Sequence, residues 1–397
     1  MTKVLLLVAD GMGDWPLDEL EGKTPLEAAR TPGLDFLALH SRVGLCRTIP
    51  DNLPPGSDIA NMALMGYDPL KYHTGRGPIE AVAMGLEPGE KDLVWRCNLV
   101  SLTGLEYNGK MLDYAAGHIT TAEAKPLIEM LRDRLDSREF SFHPGVQYRH
   151  ILIQKQGLST PAAGIDISPP HDILDQLINK DLDAYQSYPP LWAIVSKAAQ
   201  ILNHEENWTK ARFIWPWGQG GPLRLPSFKD RFKLEGAVVS AVDLVKGLGR
   251  AAGMKAVDVP GANGLLDTNY QGKLQAAKAF LETGDFVLVH LEAPDECGHM
   301  GNIADKIEAI ARFDRHIVSP LLEHLKGEDF IMIACCDHLT PIKLRTHARD
   351  PVPFLVYSSA AQVSGTREFS EKKAAATGLF LENGYDLLPF ALGRQSS

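Results

Sequence analysis

This 397-residue chain has few long apolar runs, and the run nearest its start covers only residues 4–9. Such a run is shorter than a signal-peptide core and far shorter than a bilayer span. It therefore predicts a buried strand, and we expect no membrane association.

Cysteine is scarce, and its spacing is uninformative for metal or disulfide chemistry. The five cysteines, at positions 46, 97, 297, 335 and 336, form no CxxC pair and no even disulfide framework. This predicts free thiols that pack as small apolar side chains in a protein of the reducing cytoplasm.

Positive charge is also in deficit, since 40 Lys and Arg stand against 50 Asp and Glu, for a net charge of -10. This charge argues against binding to a nucleic-acid backbone as the main role, and an acidic small substrate would need local basic groups. With 45% hydrophobic and 23% charged residues and no low-complexity tract, the composition is that of a globular protein.

Apolar runs and helical patterns alternate along most of the chain. Runs at 4–9, 286–293, 330–336 and 352–358 are typical of interior parallel strands. Helical patterns begin near Thr24 and follow Gly236, Gly272 and Ile303. The alternation predicts an α/β fold with a doubly wound, mostly parallel sheet.

The segment from residue 91 to 179 has a different pattern, with a hairpin signal at Asn108-Gly109 between strand-like stretches. A capping box of Thr120 and Glu123 predicts a helix, although Pro126 makes its start uncertain. We expect a compact inserted α+β domain at 91–179 that caps the substrate, and a core domain formed by 1–90 and 180–397.

Potential metal ligands follow three of the predicted strands. The first run ends at Asp10, the second leads to Asp295 and His299, and the third leads to Asp337 and His338, with His347 soon after. In open α/β sheets, functional groups gather beyond the carboxyl ends of strands. Carboxylates mixed with imidazoles suit Mn²⁺ or Zn²⁺, and the spacing of Asp295 and His299 places both on one face of a helical turn.

Each of these residues has a simpler interpretation when taken alone. Asp10 could be a helix cap or turn residue, His299 a hydrogen-bonded buried histidine, and Asp337-His338 an ordinary turn. A Cys297 thiolate ligand is disfavoured, because its side chain points away from the face shared by its neighbours. Turn chemistry does not easily account for three strand ends that all carry such groups, so their combination favours a metal site.

Ser57 follows Gly56 and precedes the helical pattern IANMALMG. Its hydroxyl could simply cap that helix. Next to two metal ions, the same hydroxyl could instead lose its proton and attack phosphorus.

Several motifs together resemble the alkaline phosphatase superfamily and, within it, the archaeal-type cofactor-independent phosphoglycerate mutases. The resemblance spans essentially the whole chain, and the motifs that carry it are Asp10-Gly11, PPGSDIANMALMGYDP, HTGRGPIEA, APDECGH, CCDHLTP and THARDPVPF.

The resemblance implies two divalent ions, with Mn²⁺ expected and Mg²⁺ or Zn²⁺ as alternatives, and a phosphoryl transfer between the 3- and 2-hydroxyls of glycerate through a phosphorylated Ser57. It assigns one ion to Asp10, Ser57, Asp337 and His338, and the other to Asp295, His299 and His347. The side chains that could bind the small phosphorylated acid are Arg76, His118, Arg149, His150 and Lys273, although each could equally be a surface or structural charge.

Two other functions stay open at this point. The same machinery could transfer a phosphoryl group to another small alcohol, as in a homoserine kinase. A degenerate binding module could keep the ligands for stability alone, although the serine argues against it because a structural metal site needs no nucleophile. The sequence does not determine the oligomeric state.

Overall fold

The computed structural model describes residues 2–204, 206–361 and 363–394. Its strands are β1 (Lys3–Ala9), β2 (Ser41–Cys46), β3 (Leu93–Leu102), β4 (Met111–Asp113), β5 (Phe140–Val146), β6 (Arg149–Gln154), β7 (Phe213–Gly220), β8 (Gly236–Val239), β9 (Lys255–Val257), β10 (Phe286–Leu291), β11 (Phe330–Cys335), β12 (Val352–Ser358) and β13 (Phe380–Leu381).

The helices are interspersed with these strands. They are α1 (Pro25–Ala28), α2 (Pro32–Leu39), α3 (Ser57–Leu64), α4 (Pro69–Tyr72), α5 (Arg76–Ala83), α6 (Thr121–Leu135), α7 (Asn179–Gln186), α8 (Pro189–Leu202), α9 (Phe228–Phe232), α10 (Asp243–Ala251), α11 (Tyr270–Leu281), α12 (Ala293–Met300), α13 (Ile303–Phe313), α14 (Ser319–His324), α15 (Glu371–Ala376) and α16 (Leu387–Ala391). A π-helical segment, Asp314–Val318, joins α13 to α14, and short 3₁₀ helices occupy Asp18–Leu20, Gly157–Ser159, Pro161–Gly164 and Gly384–Asp386.

The chain forms two compact units. Unit 1 contains the described residues up to His73 and those from Arg224 onward, and unit 2 contains the described residues from Thr74 to Leu223. Unit 2 is larger than the predicted insertion at 91–179. It is larger because β7 pairs with β3 and because α5, α7 and α8 also lie within this unit.

Unit 1 is built on a mostly parallel sheet with the strand order β13-β2-β12-β11-β1-β10-β8-β9. The neighbours β11, β1 and β10 are parallel, and every residue of β10 is buried, as are those of β1 after Lys3. Strands covered on both faces have unbroken apolar sequences, and for this reason these runs were recognisable. The predicted α/β class is confirmed.

Two local predictions about unit 1 were wrong. The run at 352–358 forms β12, which is antiparallel to both β11 and β2 rather than parallel. The stretch after Gly236 was predicted as helix throughout, but Gly236–Val239 forms β8 beside β10 and the helix begins only at Asp243. Short apolar runs fit both kinds of element, and pairing with β10 decides in favour of the strand.

Unit 2 contains an antiparallel sheet in the order β4-β3-β6-β5, with β7 also paired to β3. Helix α6 begins after Thr120. The Thr120 hydroxyl accepts from the Glu123 amide, and the Glu123 carboxylate accepts from the Thr120 amide. Pro126 lies inside this helix. Trp215 is buried and donates to the Ser168 carbonyl. Among the described helices, none combines the length and the apolar character that a bilayer crossing requires.

Candidate metal centre

The carboxyl ends of β11, β1 and β10 meet at one edge of the unit 1 sheet. Asp10 directly follows β1, Asp337 lies two residues after β11, and α12, which carries Asp295 and His299, begins two residues after β10. The reversed direction of β12 explains His347, because the start of β12 lies at the edge where β11 ends and the Ala348 amide donates to the Leu339 carbonyl at 2.9 Å.

Gly11 allows the chain to turn at this edge. Its φ of 59° lies in the left-handed region, and a Cβ at this position would lie 2.5 Å from both Asp295 Oδ1 and Thr340 Oγ1. Only glycine satisfies both constraints without strain. The Gly11 amide also donates to Asp337 Oδ1 at 3.1 Å, so the turn after Asp10 helps to orient a second carboxylate.

The first group of potential ligands surrounds the ring of His338. Its Nε2 lies 3.1 Å from Ser57 Oγ, 3.4 Å from Asp10 Oδ1 and 3.5 Å from Asp337 Oδ2. Ser57 is the first residue of α3 and Gly56 occupies the cap position, so the simpler interpretation of Ser57 as the helix cap was wrong.

The second group lies next to the first. His299 Nε2 is 3.1 Å from His347 Nε2 and 3.2 Å from Asp295 Oδ2, while His347 Nε2 is 3.7 Å from Asp295 Oδ1. Asp295 and His299 thus share a helix face, as their spacing predicts. His338 is shared by two sets of three residues whose possible ligand atoms lie within 4.8 Å of one another. One set is Asp10, Asp337 and His338, and the other is Asp295, His338 and His347.

The charges at this edge are poorly compensated. Burial and the nearby carboxylates of Asp337 and Asp295 raise the pKa of Asp10 well above its usual value. Asp10 Oδ1 has no hydrogen-bond partner among the residues that the structure describes. A buried carboxylate oxygen that accepts no hydrogen bond, set among acids and imidazoles, is the arrangement that a divalent cation would complete.

The imidazoles balance part of this charge in the second group. Burial alone would raise the pKa of Asp295, but hydrogen bonds from His299 and His347 bring it well below its usual value. Burial would lower the pKa of His299, yet Asp295 raises it to about 9. Burial lowers the pKa of His338, which keeps this shared imidazole neutral and able to donate a lone pair to a cation.

The spacing of the facing atoms also fits an ion. Ligands about 2.1 Å from one tetrahedral ion lie roughly 3.4 Å apart. The contacts around His338 Nε2 span 3.1 to 3.5 Å, and those around His299 Nε2 span 3.1 to 3.2 Å. The residues present therefore fit divalent cations in chemistry and spacing.

Lys273, predicted as a substrate ligand, has buried contacts within unit 1. Its side chain is 0% exposed, and its ammonium donates to Glu292 Oε2 at 2.5 Å and to the His290 carbonyl at 3.0 Å. The structure therefore gives Lys273 protein partners in place of open space.

The other predicted substrate ligands lie in unit 2. His118 is exposed, Arg149 is partly buried above the Tyr148 ring, and Arg76 lies 5.7 Å from the Trp217 ring. His150 is fully buried, accepts from the Gly145 amide, and has its pKa lowered by burial to about 3. This burial limits His150 to the role of a neutral hydrogen-bonding group.

Sequence reasoning missed the side chains that support the ligands. Thr340 Oγ1 donates to Asp295 and lies 3.2 Å from His338 Nδ1, and Asn61 donates to Asp337 Oδ2 at 2.8 Å. His290 was also missed, although a histidine inside the apolar run FVLVHL was a visible signal. Cys297, in contrast, packs in the core with its pKa raised by burial to about 11.

Fold and site together define a doubly wound α/β protein with a candidate divalent metal centre at the carboxyl edge of its parallel strands. Residues 38–207 match the 2,3-bisphosphoglycerate-independent phosphoglycerate mutase family. The chain is 45% identical to the 2,3-bisphosphoglycerate-independent phosphoglycerate mutase of Methanosarcina barkeri, over 97% of this chain and 98% of that protein. It is 43% identical to a probable enzyme of the same name from Geobacter sulfurreducens, over 99% and 100%.

Solved structures agree with these matches. A Pyrococcus horikoshii protein superposes with a TM-score of 0.82 at 29% identity, covering 99% of this chain and 97% of that one. The cofactor-independent phosphoglycerate mutase of Thermoplasma acidophilum gives a TM-score of 0.63 at 26% identity, covering 99% of each chain. The chain belongs to the 2,3-bisphosphoglycerate-independent phosphoglycerate mutase family.

Proposed function

We propose that this protein interconverts 3-phosphoglycerate and 2-phosphoglycerate through a phosphorylated Ser57. The observation that carries the proposal is the position of Ser57. This residue is the first of α3, and its hydroxyl lies 3.1 Å from His338 Nε2 within a group of buried acids. Family membership supplies the substrate class, because relatives alike over nearly their whole length carry this enzyme name.

The reaction moves one phosphoryl group in two steps. Ser57 Oγ attacks phosphorus, the Oγ–P bond forms, and the bond between phosphorus and the glycerate 3-oxygen breaks. The 2-hydroxyl then attacks the phosphoserine, which restores the serine and gives 2-phosphoglycerate. One alcohol loses a proton and another gains one in each step, so no proton is consumed overall.

The acids and imidazoles have a defined part in this scheme. Asp10, Asp337 and His338 would hold one ion with Ser57, and Asp295, His299 and His347 would hold a second, with Mn²⁺ proposed and Mg²⁺ or Zn²⁺ as alternatives. When bound, such ions favour loss of the serine proton and offset charge on the transferred phosphoryl group.

Glycerate retention distinguishes a mutase from a phosphatase. The free acid must stay bound while it turns, and water must be excluded, or the phosphoserine hydrolyses. We propose that cationic side chains, Arg76 and Arg149 among them, bind the acid through charge-assisted hydrogen bonds. We also propose a cytoplasmic location. The five cysteines are all free and buried, which is expected of a protein in a reducing compartment.

The decisive experiment replaces the nucleophile. Ser57→Ala should lower mutase activity by on the order of 10³-fold or more while the protein stays folded, because the chemistry loses its acceptor atom. Activity is measured as 2-phosphoglycerate formed from 3-phosphoglycerate with Mn²⁺. Phosphoserine is sought by acid quench and mass spectrometry, and only the wild type should show it on the peptide that carries residue 57.

A matched control is Ser227→Ala. Ser227 caps α9 in unit 1 by accepting from the Asp230 amide, so its loss costs about 1 kcal/mol of stability and no turnover. Normal activity in Ser57→Ala would refute the mechanism. Phosphorylation of homoserine by ATP, without mutase activity, would refute the substrate and favour the kinase alternative.

A further inference from the structure

A chain of buried polar side chains leads from α11 to the carboxylate of Asp10. Lys273 Nζ contacts Glu292 Oε2 at 2.5 Å, Glu292 Oε1 lies 3.2 Å from His290 Nδ1, and His290 Nε2 lies 3.3 Å from Asp10 Oδ2. Lys273 and His290 are 0% exposed, and Glu292 is 3% exposed. Four ionisable side chains in the interior are costly, so their arrangement calls for a purpose beyond packing.

Glu292 is the fixed point of this chain. Its Oε1 accepts from the Ser240 hydroxyl and from the Ala241 amide, both at 2.9 Å. Burial alone would raise the pKa of Glu292, but Lys273 and His290 bring it below its usual value. A carboxylate with these partners holds the His290 ring at a set angle, with Nδ1 toward Glu292 and Nε2 toward Asp10.

The two oxygens of Asp10 consequently have different surroundings. Oδ2 faces His290 Nε2, whereas Oδ1 lies 3.4 Å from His338 Nε2, toward the candidate ligand group. His290 Nε2 forms no hydrogen bond among the described residues, so its 3.3 Å approach to Oδ2 is an electrostatic contact that sets which oxygen of Asp10 faces the ligand group. Supporting contacts to a metal ligand typically change metal affinity by 10- to 100-fold.

We propose that Lys273, Glu292 and His290 are positioning residues that orient Asp10 for divalent metal binding. The inference rests on the proposed function in that it concerns the same metal centre. It assigns Lys273 to the support of a ligand within unit 1 instead of to substrate binding.

The row of side chains from Lys273 to His290 reaches the ligand group that contains Asp10 and does not reach the group that contains Asp295. Asp295, in the second group, takes its support from the hydroxyl of Thr340, and His299 takes its support from the Arg345 carbonyl at 3.0 Å. Loss of the His290 contact should therefore weaken one ion and spare the second. A purely structural role would predict lower stability with unchanged affinity at both sites.

The test is a titration of metal-free protein with Mn²⁺, in which the electron paramagnetic resonance signal of the free ion gives the affinity of each site. His290→Asn keeps an amide near the Nδ1 position and loses the contact to Asp10, whereas His290→Gln keeps an amide near the Nε2 position. We expect two Mn²⁺ per wild-type chain. His290→Asn should weaken one site 10- to 100-fold and change the other by less than about 3-fold, and His290→Gln should be affected less.

Asp314→Asn is the matched control. Asp314 is 0% exposed and accepts from the amides of Gly33 and Leu34 and from the Ser319 hydroxyl, so its replacement perturbs a buried carboxylate of unit 1 that holds other segments. This variant should be less stable and bind both ions as the wild type does. Circular dichroism confirms that each variant is folded before binding is measured.

The outcomes separate this inference from the proposed function. Wild-type affinity at both sites in folded His290→Asn, or equal weakening of both sites, overturns the positioning role even if the protein is an active mutase. Site-selective weakening supports it even if 3-phosphoglycerate is not turned over. A wild-type chain that binds no Mn²⁺ overturns it together with the metal centre.

Discussion

Asp10 and Asp14 lie four residues apart after the same strand, and both are buried, yet their surroundings are opposite. Asp14 has a built-in cation, because Lys306 Nζ contacts its Oδ2 at 2.8 Å and the amides of Trp15 and Ile342 donate to its oxygens. Asp10 lies among other carboxylates and keeps an oxygen without a hydrogen-bond partner among the described residues. A carboxylate of the first kind is fully occupied by contacts within the protein, whereas one of the second kind is available to a ligand.

Glu371 is intermediate between the two. It accepts from the Asp14 amide at 3.1 Å and from the Thr24 hydroxyl at 2.8 Å, which are neutral donors. Burial raises its pKa to about 7. The three carboxylates thus form a series from Asp14, which has a lysine, through Glu371, which has neutral hydrogen-bond donors, to Asp10. Asp10 has only imidazole nitrogens 3.3 to 3.4 Å away, and its Oδ1 has no hydrogen bond among the described residues.

Removing the lysine that pairs with Asp14 should have the largest effect on stability. Lys306→Met leaves Asp14 buried without a counter-ion, and we expect a loss of about 3–5 kcal/mol in the free energy of unfolding. Urea denaturation of metal-free protein measures it. Lys326→Met, at an exposed lysine, should change the free energy by less than about 0.5 kcal/mol. A loss below about 1 kcal/mol in Lys306→Met would break the comparison.

Glu371 should make the free energy of unfolding depend on pH. Its pKa is raised from 4.5 when unfolded to about 7 when folded, so the folded state binds the proton more tightly. Stability should therefore fall as the pH rises from about 4.5 to 7. Relative to Glu371→Gln, the wild type should lose roughly 2–3 kcal/mol between pH 5 and 8. Parallel unfolding curves at several pH values test this, and a constant difference between the two proteins would contradict it.

Replacing Asp10 should give the smallest change in stability, with the opposite sign. In metal-free protein, Asp10→Asn replaces a buried carboxyl group whose ionised form is disfavoured by burial and by nearby carboxylates, and we expect a gain of about 1–2 kcal/mol in stability at pH 7. Asp14→Asn should lose stability instead. Mn²⁺ at 100 times its dissociation constant should stabilise the wild type by about 2.7 kcal/mol and Asp10→Asn by much less. A destabilised, metal-free Asp10→Asn would refute the proposed difference.

The sequence already determined the elements whose signals are local. Unbroken apolar runs identified β1, β10 and β11, because strands buried on both faces need such side chains. The helical pattern near Thr24 and the capping box of Thr120 and Glu123 marked two helix starts, because such signals lie within a few residues of one another. Acids and imidazoles just after the strands predicted the site, because parallel strands end at one edge.

Only the tertiary structure decided the features that depend on distant partners. An apolar run has the same period in either direction, so the reversal of β12, which brings His347 to the edge, was invisible until β12 paired with β11 and β2. The extent of unit 2 depends on β7, which pairs with a strand more than a hundred residues earlier. The partner of a buried charge is likewise a matter of packing, so the sequence could name Asp10 and Lys273 but not which of them would find a counter-ion.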